Sequence, residues 1–518
     1  MSIARVASRA QIGLAAPRVD VEVHLGSGLP TFSIVGMPQT AVKESKDRVR
    51  AALANSGFEF PAGRITVNLS PADLPKEGCR YDLPIALGIL LASSQVKFSA
   101  ADLARLEFYG ELGLAGELKP VKGVLLAAAH AARESRSVVV PSANLEEAEL
   151  AVPGESRAAE NLLEVCAAFG EGAPSINGAA TMRTCTSRVD TAARITLDLA
   201  EVRGQAAPKR ALLVAAAGGH SILLIGPPGT GKSMLAQRLP GLLPPLEADE
   251  ALDVAAIASV SARGFDAADF GRRPFRAPHH TASASAIIGG GPQVRPGEVS
   301  LAHRGVLFLD ELPEFNRRVL ESLREPLESG VVAISRAARQ VEYPARFQLV
   351  AAMNPCPCGY LGAPSGKCRC APPEIARYRA RVSGPLLDRI DLRVEVPALS
   401  SEELLGEMAA TGFSSDIAAA RVRRARELQR RRAGKLNAEL AGEELQEHCR
   451  LDRQCRLLIA QARERLNLSA RAIHRALRVA RTIADLEMTE PGNETGPIDR
   501  SIGPAHLAEA LQLRRAIP

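Results

Sequence analysis

Tryptophan is absent from the 518 residues, and 13 Phe and 5 Tyr are the only other aromatic rings besides histidine. So few rings argue against a single-strand binder that stacks bases on aromatic platforms, and leave electrostatics as the means of gripping nucleic acid. Long apolar runs are missing too. The most apolar stretch, residues 211–225, is broken by Gly218, Gly219, His220 and Ser221. It falls short of the roughly 18 apolar residues a membrane span needs, so no membrane partner is expected. Residues 1–16 hold arginines but no unbroken apolar core before a small-residue cleavage site, and do not read as a signal peptide. Nine cysteines at irregular spacing are not a secreted disulfide framework, which points to a reducing, cytoplasmic setting. Lysine is scarce, 10 against 54 Arg, a usage that GC-rich coding explains.

What is present is long and mixed. A chain of 518 residues exceeds what one core usually organises, so two to four domains are expected. The net charge of +6 is small, yet residues 421–481 hold 17 Lys+Arg against 7 Asp+Glu, leaving −4 for the remainder. Residues 1–170 interleave short strand-like runs with helical periods, clearest at 42–55 and 81–93, and read as an α/β or α+β unit. Residues 171–195, rich in Gly, Ala, Ser and Thr, read as a linker. A second α/β unit covers 196–400, with strand-like runs at 221–225, 305–309 and 347–351. Residues 401–518 have helical spacing without β-branched runs and read as all-α.

The sharpest motif follows the first of those runs. Gly226-Pro227-Pro228-Gly229-Thr230-Gly231-Lys232-Ser233 matches G-x-x-x-x-G-K-[ST] and leads into a helix-compatible segment. In such a loop the glycines turn backbone amides onto phosphate oxygens, the lysine adds a point charge, and the serine hydroxyl ligates Mg2+. Seventy-seven residues on, the apolar run 305–309 ends in Asp310-Glu311, suited to hold that cation and to polarise an attacking water. ATP and Mg2+ are the cofactors expected. Asn354, at the end of the next strand, can orient water against the γ-phosphate; an Asn before Pro355 is also an ordinary turn starter.

Cys356-x-Cys358 and Cys368-x-Cys370 bring four thiols to a Gly/Pro-rich loop poor in apolar residues. They can hold a structural Zn2+, although one intervening residue is tighter than the usual two to four; free thiols are the other reading.

In this order the motifs resemble the magnesium-chelatase-like branch of the AAA+ ATPases and, along nearly the whole chain, ComM/YifB-type competence ATPases. Asp198-Leu-Ala-Glu-Val-Arg-Gly-Gln205, Arg273-Pro-Phe-Arg-Ala-Pro-His-His280 and Pro296-Gly-Glu-Val-Ser-Leu-Ala-His303 carry the likeness. So do Asn354-Pro-Cys-Pro-Cys-Gly359, Ser383-Gly-Pro-Leu-Leu-Asp-Arg-Ile-Asp391 and Ala480-Arg-Thr-Ile-Ala-Asp-Leu486. The resemblance implies a P-loop AAA+ α/β core at 196–400 and a C-terminal all-α lid at 401–518. It also implies a homo-oligomer, a hexameric ring, with Arg389 as the finger reaching a neighbour's γ-phosphate and Arg471 as a second sensor. Arg475 and Arg478 are rivals for the latter role.

The work implied is helicase action and branch migration on branched or forked DNA, independent of sequence, during natural transformation and recombination. A hairpin over 331–343 would set Arg336 and Arg339 against phosphates in the ring's pore. The glycine loop 286–291 and the basic stretch 421–432 are further DNA candidates. An alternative is a chelatase-like ATPase that remodels a protein partner. Residues 1–170 resemble the proteolytic domain of Lon proteases, through Gly36-Met-Pro38, the segment 71–85 and the segment 110–120. The Ser-Lys dyad is not intact: Cys79 and Arg80 follow the turn, and Lys122 lies in a shortened stretch. A structural or ring-forming module is expected there.

Overall fold

The computed structural model describes residues 2–171, 197–291, 294–336, 339–362, 366–400, 414–466, 468–490 and 501–514. The expected linker at 171–195 lies outside these apart from its first residue, as do residues 401–413. The chain forms two compact units, Met1–Ala192 with Ala248–Gly271, and Ala193–Glu247 with Arg272–Pro518. Residues 248–271, which the sequence reading sets inside the second α/β region, therefore belong to the first unit. The reason is packing: helix Ala248–Ser259 buries Ala255 and Ala256 in a cluster with Ala16, Leu125 and Leu126.

In the first unit strands Ser2–Arg9, Arg18–Gly26, Arg64–Ser70 and Thr31–Val35 lie side by side in that order. The last pair is parallel and the others antiparallel. Alternation in the sequence becomes alternation of burial: Val19, Val21 and Val23 point inward, as do Ile65, Val67 and Leu69 of the neighbouring strand. Helix Asp82–Ala92 is apolar on all sides because it is buried on all sides. Gly88 lets it sit tightly on the sheet, since a Cβ there would stand 2.5 Å from Val23 Cγ2. A second, parallel sheet orders Ser156–Ala159, Ser137–Pro141 and Leu106–Phe108. Its buried Glu107 takes two bonds from Arg9, at 2.8 and 2.9 Å, and one from Tyr109 at 2.6 Å, with Arg136 at 3.0 Å. Such pairing is what makes a buried charge tolerable.

The second unit is built on five strands, in the order Phe275–Arg276, Val306–Leu309, Gln348–Met353, Ile222–Ile225 and Leu392–Glu395. Every neighbouring pair is parallel. The three central strands are buried throughout, as continuous apolar runs in parallel sheets should be. The helical C-terminal region comprises Ser415–Ala433, Gly442–His448, Arg453–Leu466, Ala470–Glu487 and Pro504–Gln512. Val422, Ala425, Leu477 and Ile483 share one core with Ile222 and Leu224 of the sheet. Among the described residues, no helix is long and apolar enough to cross a membrane.

Candidate nucleotide-binding site

Strand Ile222–Ile225 delivers the chain to Gly226, which must be glycine: a Cβ there would lie 2.1 Å from the carbonyl oxygen of Val396. Gly229 and Gly231 adopt φ of 77° and 90°, open to glycine at little cost. Helix Lys232–Leu242 then starts with no side-chain cap at Gly231, so its first amides stay free for an anion. Lys232 Nζ folds back to donate to Gly226 O at 2.7 Å, Pro227 O at 2.8 Å and Asn354 Oδ1 at 3.1 Å. Burial lowers its pKa, against the pull of Asp310 and Glu311. Its hydrogen-bond partners here are all neutral oxygens, which phosphate oxygens can displace.

Strand Val306–Leu309 lies beside the Asn354 strand and presents Asp310 to the same place. Ser233 Oγ donates to Asp310 Oδ2 at 2.7 Å. A hydroxyl beside a carboxylate is the hard-oxygen donor set that Mg2+ takes, so these residues fit the cation. Glu311 adopts φ 51° and ψ 47°, a left-handed conformation that costs a non-glycine residue about 1 kcal/mol or more. Its half-exposed carboxylate stands 3.1 Å from His280 Nδ1. The His280 ring lies against that of His279, centroids 4.1 Å apart and tilted by 33°, and meets Phe315 edge-on.

The predicted arginines are spread out. Arg389 is 8% exposed, paired with Glu328 at 2.5 Å, and donates to Pro385 O at 2.7 Å. Its Nε is buried without a partner among the described residues. Arg471 is exposed in the first turn of helix Ala470–Glu487. Arg475, from the same helix, donates to Asp391 Oδ1 at 2.5 Å and to Arg389 O at 2.8 Å. Burial lowers the pKa of Arg478.

Several residues that hold the site together escaped the sequence reading. Asp391 Oδ2 accepts from the amide and hydroxyl of Ser221, both at 3.0 Å, and so locks the start of strand Leu392–Glu395 to the P-loop strand. Gln205 donates to Thr230 O at 3.3 Å and Pro397 O at 2.7 Å, bracing the loop from outside. Gln205, His280 and Asp391 each end one of the segments that carry the family resemblance, 198–205, 273–280 and 383–391, which was the available signal.

Part of the basic stretch 421–432 has structural partners, while Arg423, Arg424 and Arg431 are exposed. Arg426 donates to Ala216 O, Arg432 forms a bidentate pair with buried Asp485, and Arg421 and Arg430 pair with Glu490 and Glu247. Strands Val331–Arg336 and Arg339–Pro344 form the expected antiparallel hairpin, register Arg336 opposite Arg339; the side chains of these two lie outside the described residues. Tyr343 of the hairpin donates to Val294 O at 2.8 Å, and a Cβ on Gly289 would meet Ile334 Cδ1 at 2.7 Å, so hairpin and glycine loop pack together. The sulfurs of Cys356, Cys358, Cys368 and Cys370 converge within 4.8 Å of one another. In the first unit burial pushes the Cys79 thiol up to about 11, the reverse of what a nucleophile needs, and Lys122 Nζ donates to Ala262 O at 3.2 Å.

Comparison with known proteins assigns this arrangement. A family model described as magnesium chelatase, subunit ChlI, matches residues 198–404, and one for the ChlI C-terminal part matches 412–514. A third, subunit ChlI of Mg-chelatase, matches 21–144, within the region that resembles Lon proteases. Competence protein ComM of Haemophilus influenzae is 47% identical over 521 residues, covering 100% of this chain and 98% of that one. The chain belongs to the ComM/YifB family. YifB of Salmonella typhimurium, uncharacterised, is also 47% identical, covering 99% of this chain and 97% of its own. The magnesium-chelatase 38 kDa subunit of Rhodobacter capsulatus is 29% identical over 170 residues, 29% of this chain and 48% of that subunit. The ComM/YifB chain is thus a magnesium-chelatase-like AAA+ ATPase of mixed α/β fold with a helical C-terminal region.

Proposed function

We propose that this chain is an ATP-driven ring motor that moves on DNA without regard to sequence. It would displace strands and migrate branches so that incoming DNA is integrated. The observation that carries the proposal is the convergence of Lys232, Ser233, Asp310, Glu311 and Asn354 beyond the C-terminal ends of the three central strands, in a unit that also presents a hairpin with arginines flanking its tip. The name of the H. influenzae relative ties that protein to competence, and the likeness extends over the whole of this chain.

Bound Mg-ATP supplies the phosphoanhydride bond and the cation that shields its charge. The amides of the P-loop and Lys232 Nζ bind the phosphates, the lysine exchanging its carbonyl partners for phosphate oxygens. Ser233 and Asp310 hold the cation. Glu311 parts from His280 and takes a proton from the attacking water, while Asn354 orients that water. Arg389, freed from Glu328, reaches the γ-phosphate of a neighbouring protomer in a ring of six, and Arg471 serves as second sensor. Arg336 and Arg339 contact DNA phosphates, a grip that works without aromatic stacking. The N-terminal region, residues 1–170, acts as a structural or ring-forming module; the raised Cys79 pKa speaks against a peptidase.

A second reading, remodelling of a protein partner, draws on the descriptions of the matching family models. ATP turnover measured with and without single-stranded, forked and four-way DNA separates the two. Stimulation by DNA, lost in Glu311→Gln while ATP binding persists, is the expected result. Stimulation by a protein partner and by no form of DNA would overturn the DNA motor.

A further inference from the structure

Between Met353 and helix Pro372–Arg379 the described residues form neither strand nor helix, and beyond Cys356 none of their side chains is buried up to residue 371. A stretch without an apolar core has little hydrophobic burial to order it. Four sulfurs nevertheless converge there. Cys356–Cys358, Cys356–Cys368 and Cys358–Cys368 are separated by 3.4, 3.7 and 3.7 Å, and the Sγ atoms of all four cysteines lie within 4.8 Å of one another. A tetrahedron of thiolates at a Zn–S length of about 2.3 Å has edges of about 3.8 Å.

The surroundings suit thiolates. Lys367 precedes the second pair and Arg369 lies within it, and both offset the negative charge that four thiolates leave on a divalent ion. Sulfur ligands alone select a soft or borderline cation over Mg2+ or Ca2+. Gly359, at φ 84°, closes the first turn by donating to Cys356 O at 3.0 Å.

We propose that Cys356, Cys358, Cys368 and Cys370 form a structural zinc site that takes the place of a core for this loop. The loop sits on the rim of the P-loop: a Cβ on Gly359 would stand 2.7 Å from Pro228 Cδ and 3.7 Å from Asn354 Cγ. Arg379 ties its start to the following helix, donating to Pro355 O at 3.2 and 3.1 Å. The zinc clip therefore fixes the chain leaving Asn354, a positioning role that rests on the nucleotide-site reading above; the metal site itself does not.

The test is elemental analysis of the full chain, purified without chelator or metal-affinity resin, followed by exchange with Co2+. One zinc per chain is expected, with thiolate-to-cobalt absorption and intense tetrahedral d–d bands after exchange. Cys358→Ser and Cys368→Ser should each lose the metal and the spectrum, while Cys79→Ser in the other unit keeps both. Four freely titrating thiols without zinc, a disulfide within either pair, stoichiometric iron, or full zinc retention in Cys358→Ser would each overturn the proposal. If the positioning role holds, Cys368→Ser also hydrolyses ATP several-fold more slowly while binding it normally. A chain that holds one zinc yet hydrolyses no ATP would refute the nucleotide-site reading and leave the zinc site standing.

Discussion

Asp391→Ala removes a carboxylate that joins the P-loop strand, strand Leu392–Glu395 and helix Ala470–Glu487. The Asp391 side chain is 6% exposed and that of Arg475 is 19% exposed. Truncation leaves the guanidinium largely buried without its counter-charge, and takes the acceptor at 3.0 Å from the Ser221 amide. Removing one partner of a buried ion pair costs ~3–5 kcal/mol, and the partial exposure of Arg475 puts this case near 3. In a unit of roughly 300 residues ~1 kcal/mol moves the melting temperature by about 2 °C, so the transition should fall by about 6 °C in calorimetry at fixed scan rate. Asp391→Asn keeps an acceptor for Ser221 and loses the charge, so about half that shift is expected. Adding Arg475→Ala to Asp391→Ala should restore part of the loss, because the stranded charge goes too. Burial opposes ionisation of Asp391, but Arg475 and the His220 ring, whose Nδ1 lies 3.7 Å from Oδ2, outweigh it and hold the carboxyl well below the usual range. A depressed folded-state pKa gives stability that is complete above about pH 4 and is lost in stronger acid, so the gap between wild type and Asn variant should be full at neutral pH and close below about pH 4. Equal melting temperatures for wild type and Asp391→Ala, or an Asn variant as damaged as the Ala one, would refute this reasoning.

Arg389→Ala should be inactive alone, and mixing it with inactive Lys232→Ala should restore turnover if the finger acts across a protomer boundary; no recovery at any ratio contradicts that role. His303 accepts from the Arg346 amide at 3.1 Å, and burial, with Arg304 and Arg346 nearby, lowers its pKa to about 3. The unfolded chain takes up that proton near pH 6.5 and the folded chain does not until about pH 3, so stability should fall as pH drops between these values. His303→Gln should flatten this slope in pH-dependent melting, and an unchanged slope assigns the effect elsewhere.

The phosphate loop was legible because its geometry constrains residue identity: only glycine tolerates the approach of Val396 O at Gly226 and the φ values at Gly229 and Gly231. The central strands were legible because full burial writes them as apolar runs. What stayed hidden depends on partners far along the chain. Asp391 meets Ser221 170 residues away, and Arg475 meets Asp391 across 84. The charge surplus at 421–481 looked like a surface patch until Asp485, Glu490 and Glu247 were seen to neutralise part of it. Glu311 gave no sign in sequence of its left-handed backbone or of His280 beside it. Ala248–Ser259 carries an alanine-rich face that fits more than one core, so its allegiance to the first unit is decided only by the fold.

The central claim is that ATP hydrolysis at this site drives movement on DNA. A four-way junction with one labelled strand, incubated with the chain and ATP, reads that movement directly. Wild type should resolve the junction with ATP and leave it intact with a non-hydrolysable analogue. Glu311→Gln should bind the junction yet resolve it ~10²–10⁴-fold more slowly, the range expected for loss of a general base. Wild-type protein that hydrolyses ATP but leaves every junction and fork intact would contradict the account.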